Sequence, residues 1–198
     1  DLASRWLKEP GRLPFDVRAL LTEYRAASPL ALEIKGYRER GQTDRLDELA
    51  TRLARLLEGP EAGVLVAQKQ LSLAAIEALL AGLPGDQRER LQDALGHNPM
   101  ATPLVDVTPA ELLQNYAGSA AEKKMLAWKS DPLKQHRAGL AVTALRAHLE
   151  QNSKTADVRR SNVARTSLGQ LLPQLKERWA LPLVETMKKL GITPIRPQ

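Results

Sequence analysis

The chain has 198 residues, is 43% hydrophobic but only 4% aromatic, holds no cysteine and carries a formal net charge of +6. Disulfides, thiolate metal sites and cysteine nucleophiles are therefore excluded. No apolar run approaches the length of a membrane-spanning helix, and the core must come from Leu, Ala, Val and Ile, the palette of helix bundles.

Taken in order, residues 1–9 read as a short helix broken by Pro10-Gly11, without the layout of a signal peptide, as if cut from inside a longer protein. Phe15, Val17, Leu20, Leu21 and Tyr24 keep helical spacing up to Ser28-Pro29, and Leu30, Ile34 and Tyr37 line another helix over 30–40. Thr43 or Asp44 is expected to cap an amphipathic helix with the stripe Leu46, Leu49, Leu53, Leu56 and Leu57, and Glu48 pairs with Arg52 on its solvated face. Residues 63–70 are ambiguous, and helix is preferred because an isolated strand has no partner. Ser72 caps 73–81, and Asp86 caps 87–95.

Residues 96–107 contain two prolines and no helical period. They are the expected boundary between an N-terminal lobe (1–96) and a basic C-terminal lobe (108–198), with 97–107 as linker. Charge changes at the same place. Residues 1–100 hold 14 Lys/Arg against 15 Asp/Glu, whereas 101–198 hold 15 against 8. This points either to an anionic partner for the second half or to ordinary solvated faces.

In that half, Thr108-Pro109-Ala110-Glu111 and Ser119-Ala120-Ala121-Glu122 both spell capping boxes. Asp131-Pro132 is expected to open the central helix, 132–150. Its apolar positions, from Leu140 to Leu149 and including His148, cover more than half the circumference, so neighbours must wrap it. A basic helix over 156–165, a helix over 167–179 kinked at Pro173, and a last helix over 182–190 complete the expected all-α, multi-helix bundle.

The chemistry is sparse. His97, His136 and His148 have no partner at metal-ligand spacing, no nucleotide or hydrolase motif occurs, and the carboxylates are scattered. No catalytic residue, metal or cofactor is therefore expected. Two kinds of surface remain. Met100, Pro103, Leu104 and Val105, with Pro99, Ile192, Ile195 and His148, form a candidate protein-docking set, unless they merely cover the ends of the bundle. Lys154, Arg159, Arg160 and Arg165, near Ser161, Asn162, Thr166 and Ser167, form a basic patch suited to a nucleic-acid backbone. No aromatic residue interleaves with them, so stacking on single strands is not supported.

Through Arg146-Ala147-His148-Leu149-Glu150, and through its Cys-free, Leu/Ala/Arg-rich helical character with a basic second half, the chain resembles the XL-box domain. That is the C-terminal helical domain of XopL-type type III effectors, secreted virulence proteins of plant-pathogenic bacteria. The resemblance implies an E3 ubiquitin ligase delivered to the host-cell cytoplasm, unlike RING, U-box or HECT ligases, that recruits a charged host E2. Lacking cysteine, such a ligase forms no thioester and must hold the E2–ubiquitin conjugate in a reactive geometry. No family motif matches residue by residue, so no functional residue is carried over.

Overall fold

The computed structural model describes residues 36, 37, 39–67, 73–152 and 155–198. The expected helices over 1–9 and 14–27, most of that over 30–40, the Ser72 cap and Lys154 lie outside them. The described residues are all-α, with no strand among them, and the chain divides into two compact units, Asp1–Leu104 and Val105–Gln198.

In the N-terminal unit, α1 (Thr43–Glu58) packs along α4 (Gly85–Gly96), with α2 (Glu61–Ala67) and α3 (Leu73–Ala81) between them in sequence. Leu46, Ala50, Ala54 and Leu57 form the buried stripe of α1, against Leu91, Ala94 and Leu95 of α4. The alanines let the helices approach, a role the leucine-based stripe did not assign them. Polar bonds fix the alignment: Arg90 donates to Thr51 Oγ1 at 2.9 Å, and buried Asn98 donates to the Leu57 carbonyl. Glu48 pairs with Arg45 at 3.8 Å. Neither expected cap forms here. The N-cap of α1 is Gln42 and that of α4 is Pro84, each without a side-chain bond, so Asp86 lies inside the first turn of α4. Residues 96–107 are less irregular than expected, because Pro99–Leu104 winds into a 3₁₀ turn against α2.

The C-terminal unit is built around α7 (Gln135–Gln151). It is flanked by α5 (Pro109–Leu113), α6 (Ala120–Ser130) and α10 (Glu177–Leu190), while α8 (Thr155–Arg160) and α9 (Asn162–Leu171) complete the unit and α9 packs on α5. Ala138, Ala141, Val142, Leu145 and Leu149 of α7 join Leu112, Trp128, Leu168, Trp179 and Leu183 in one core. The broad apolar arc is thus covered on several sides, as its width requires.

The boundaries differ at four places. Asp131 accepts from the Leu133 N–H at 2.9 Å in a separate turn, so α7 begins at Gln135 with Lys134 as N-cap. The basic helix expected over 156–165 is two helices, because Ser161 breaks the run and caps α9 by accepting from the Ala164 N–H at 3.1 Å. After a 3₁₀ turn at Leu172–Gln174, the last helix starts at Glu177 and runs through Pro182 instead of starting there. Thr108 and Glu111 make the full capping box. In the Ser119 motif only the hydroxyl half forms, since the Glu122 carboxylate accepts from the Gly118 N–H and from Gln174 Nε2.

At its C-terminus α10 ends in a Schellman turn. Gly191 adopts φ 68° and the Ile192 N–H returns to the Met187 carbonyl at 2.9 Å. Ile192 is buried, and the tail then lies along α9: Arg165 Nε donates to the Thr193 carbonyl at 2.7 Å and the Arg165 carbonyl accepts from the Ile195 N–H at 2.9 Å.

Candidate functional site

The expected docking residues divide between the two units. Met100, Pro103 and Leu104 belong to the N-terminal unit, on the 3₁₀ turn over α2. Val105 and His148 belong to the C-terminal unit. Gly63 explains the first group. A Cβ there would lie 2.5 Å from Met100 Cε, so the Met100 side chain rests against α2 where Gly63 has no side chain, and a larger residue would turn its flexible end aside. Met100 remains 52% exposed and Val64 52%, with Pro99 and Pro103 exposed beside them. Val105, by contrast, is partly buried against the core of its unit, and Ile192 is fully buried, so neither offers a free surface. His148 is half-buried, its Nε2 3.3 Å from Asn152 Nδ2 on the next turn. The fully buried histidine is His136, which the sequence pattern did not single out.

The basic patch also changes composition. Arg159 and Arg160 are exposed on α8, but Arg165 is occupied with the tail. Arg159 Cδ lies 3.7 Å from the Cβ position of Gly191, at the end of α10, where Lys188 and Lys189 are exposed three and two residues earlier in the chain. Among the described residues no carboxylate stands within 4.0 Å of any of these four cations.

Two depressions complete the picture. In the N-terminal unit an open groove of about 520 Å³ is lined by Glu58, Asp86, Glu89 and Asp93, with Arg90 and His97. In the C-terminal unit a small pocket has a floor of Met125, Ala138, Leu175 and Trp179 and a rim of Lys129, Gln135, Gln174 and Lys176. Sequence reasoning missed this second depression, because its polar rim comes from three separate segments.

Carboxylates elsewhere have structural employment. Lys124, bonded to Asp106 at 2.8 Å, holds that carboxyl below its usual range, and the Thr108 N–H does the same for Glu111. Burial, helped by the Glu122 charge, pushes the Tyr116 hydroxyl well above the usual phenol range while it donates to Gln174 Oε1 at 2.7 Å. Among the described residues no three His, Asp or Glu side chains could share a metal ion. No helix among them is long and apolar enough to cross a membrane. No protein-family model, curated protein or solved structure matches the chain. What the fold defines is an all-α chain of two compact units, with candidate surfaces on each.

Proposed function

We propose that the chain recruits a protein partner and works by presenting surfaces, with no side-chain chemistry of its own. The observation that carries this reading is the Met100–Val64 face. Two large apolar side chains, each 52% exposed, lie on elements that pack together, and Met100 approaches α2 at Gly63, the residue before Val64. Isolated exposed apolar residues are ordinary, but a pair rimmed by Pro99 and Pro103 has the composition of the centre of an interface. The particular form implied by the XL-box resemblance is a ubiquitin ligase that holds a host E2–ubiquitin conjugate without a covalent intermediate. An autoubiquitination assay over a panel of E2 enzymes tests it. Ubiquitin chains that Met100→Asp and Val64→Asp abolish, with folding unchanged, are the expected result. Silence across the panel removes the ligase form, and undiminished activity of both variants removes this face.

A second reading, a nucleic-acid-binding helical domain, is favoured by Arg159, Arg160, Lys188 and Lys189, which are exposed and lack acidic partners among the described residues. Every aromatic side chain of the C-terminal unit is buried, so only backbone contacts to a duplex suit it. A gel shift with duplex DNA across a salt series checks this reading, and no shift at low salt removes it.

A further inference from the structure

Beyond Ile192 the chain leaves the core of the C-terminal unit. Ile192 is buried, whereas Pro194 and Ile195 are half-buried and Thr193, Arg196, Pro197 and Gln198 are exposed. What holds this segment is a seat on α9. Arg165 grips it twice, donating from Nε to the Thr193 carbonyl at 2.7 Å and accepting the Ile195 N–H at its own carbonyl at 2.9 Å. One turn further along, Gly169 leaves a notch for the Ile195 carbonyl oxygen, which would collide with a Cβ there.

The seat differs from ordinary packing in what it reads. Both hydrogen bonds go to main-chain groups of alternate residues, so they select an extended backbone and not the side chains of Thr193 or Ile195. Gly169 lies inside α9, where helix propensity favours almost any other residue, and what it supplies there is room for that backbone. Pro194 fixes its own φ and keeps Thr193 extended, so the segment reaches the seat with its conformation already set. Ile195 adds the apolar contact.

The attachment is light. Hydrogen bonds of this kind contribute little net stability, and one half-buried isoleucine adds little burial. Opening at the hinge, Gly191 with φ 68°, separates none of the core around Leu168 and Leu171. It uncovers a donor, an acceptor and a notch side by side on α9.

We infer that this seat is a binding site for an extended segment of a protein partner, a proline followed by a large aliphatic residue, and that the tail fills it as a tethered stand-in. The partner-recruiting reading is thereby deepened, and the inference rests on it. Tethering decides when the exchange occurs. A segment on so short a linker has an effective concentration on the order of millimolar. A free peptide at micromolar concentration does not displace it, whereas a partner already held elsewhere on the chain presents its own segment at a comparable effective concentration. The tail of a second copy fits the same seat but meets the same competition without that other attachment.

Fluorescence anisotropy with a labelled peptide of the tail sequence, Ile-Thr-Pro-Ile-Arg-Pro-Gln, tests this on the whole chain. The wild type should bind no peptide up to roughly 100 μM, because its own tail competes. Ile195→Asp puts a charge at the half-buried position and releases the tail, which faster hydrogen exchange of the amide at 195 reports; this variant should bind the peptide saturably. Adding Gly169→Ala or Arg165→Gln to it should weaken binding by about tenfold or more, the worth of one lost contact of this kind. Arg165→Gln leaves α9 intact, so its effect is not a loss of fold. The inference falls if Ile195→Asp keeps the amide protected, if the released variant binds no peptide, or if the added substitutions leave binding unchanged. It also falls if the wild type sediments as a dimer that Gly169→Ala makes monomeric, which would give the seat to a second copy. None of these variants alters the Met100–Val64 face, so failure here and failure of the recruiting reading are separable.

Discussion

The six-membered ring of Trp179 rests on the bare Cα of Gly139. A Cβ at that position would meet Cη2 and Cζ3 at 2.7 Å and Cε3 at 2.8 Å. This contact sets how closely α10 approaches α7, since both residues are buried at the middle of the unit. Gly139→Ala therefore forces either the ring or the helix outward, at a cost of about 1–3 kcal/mol as for other overpacked sites. The gain in helix propensity from alanine, about 1 kcal/mol, offsets only part of it. Urea denaturation should show the loss. A Trp179→Leu background should remove most of the Gly139→Ala penalty, because two residues in contact are not additive.

The placement of α7 was legible because its apolar arc is too wide for a surface helix, and Leu140, Leu145 and Leu149 are indeed fully buried. The starts of the helices were less legible. Lysine at both Lys134 and Lys176 contradicts capping preference, and Pro182 inside α10 contradicts the rule that proline opens a helix. Ser161 stands beside the basic patch in sequence, but local hydrogen bonding makes it a cap that divides the basic segment. The basic patch was legible as charge but not as function. Whether an arginine serves a ligand or the fold depends on what lies opposite, and the tail opposite Arg165 is thirty residues away in sequence. The rim of the pocket, drawn from Lys129, Gln135 and Lys176, has no sequence pattern at all.

Arg165 and Arg160 should accordingly behave differently. Arg165→Gln loses the bond from Nε to the Thr193 carbonyl and loosens the tail, which hydrogen exchange should report as faster exchange of the Ile195 amide. Arg160→Gln, at an exposed position with no partner among the described residues, should change stability by less than about 0.5 kcal/mol. Equal effects of the two on exchange at Ile195 would contradict the assignment of Arg165 to the tail.

Gly169 gives a sharper test of the same seat. A Cβ there would lie 1.8 Å from the Ile195 carbonyl oxygen, so Gly169→Ala cannot coexist with the docked tail. The variant should keep α9 helical, lose protection at Ile195, and leave the core around Leu168 and Leu171 in place. A large fall in the thermal midpoint, with the Ile195 amide still protected, would mean that the helix yields before the tail does.

The capping box at α5 carries a pH dependence whose direction follows from its bonds. Glu111 Oε2 accepts from the Thr108 N–H at 2.6 Å and the Thr108 hydroxyl accepts from the Glu111 N–H at 3.3 Å. Those bonds to the charged carboxylate lower its pKa below the usual 4.5, so the folded state holds this proton less readily than the unfolded chain. The contribution is therefore complete above the unfolded value and is lost as pH falls through the lowered folded value. Asp106, lowered first by its bond to Lys124, responds in the same direction, and so does Glu122, lowered first by the Gly118 N–H. Stability of the wild type should thus decline below about pH 4.5, while Glu111→Gln removes one component of that decline. Thr108→Ala should cost about 1 kcal/mol at neutral pH, the usual worth of a lost N-cap. Its deficit relative to the wild type should narrow in acid, where the protonated Glu111 no longer accepts strongly from the Thr108 hydroxyl, a bond of 3.0 Å that the variant lacks. A deficit that stays constant from neutral pH into acid would show that the hydroxyl half of the box acts without the carboxylate.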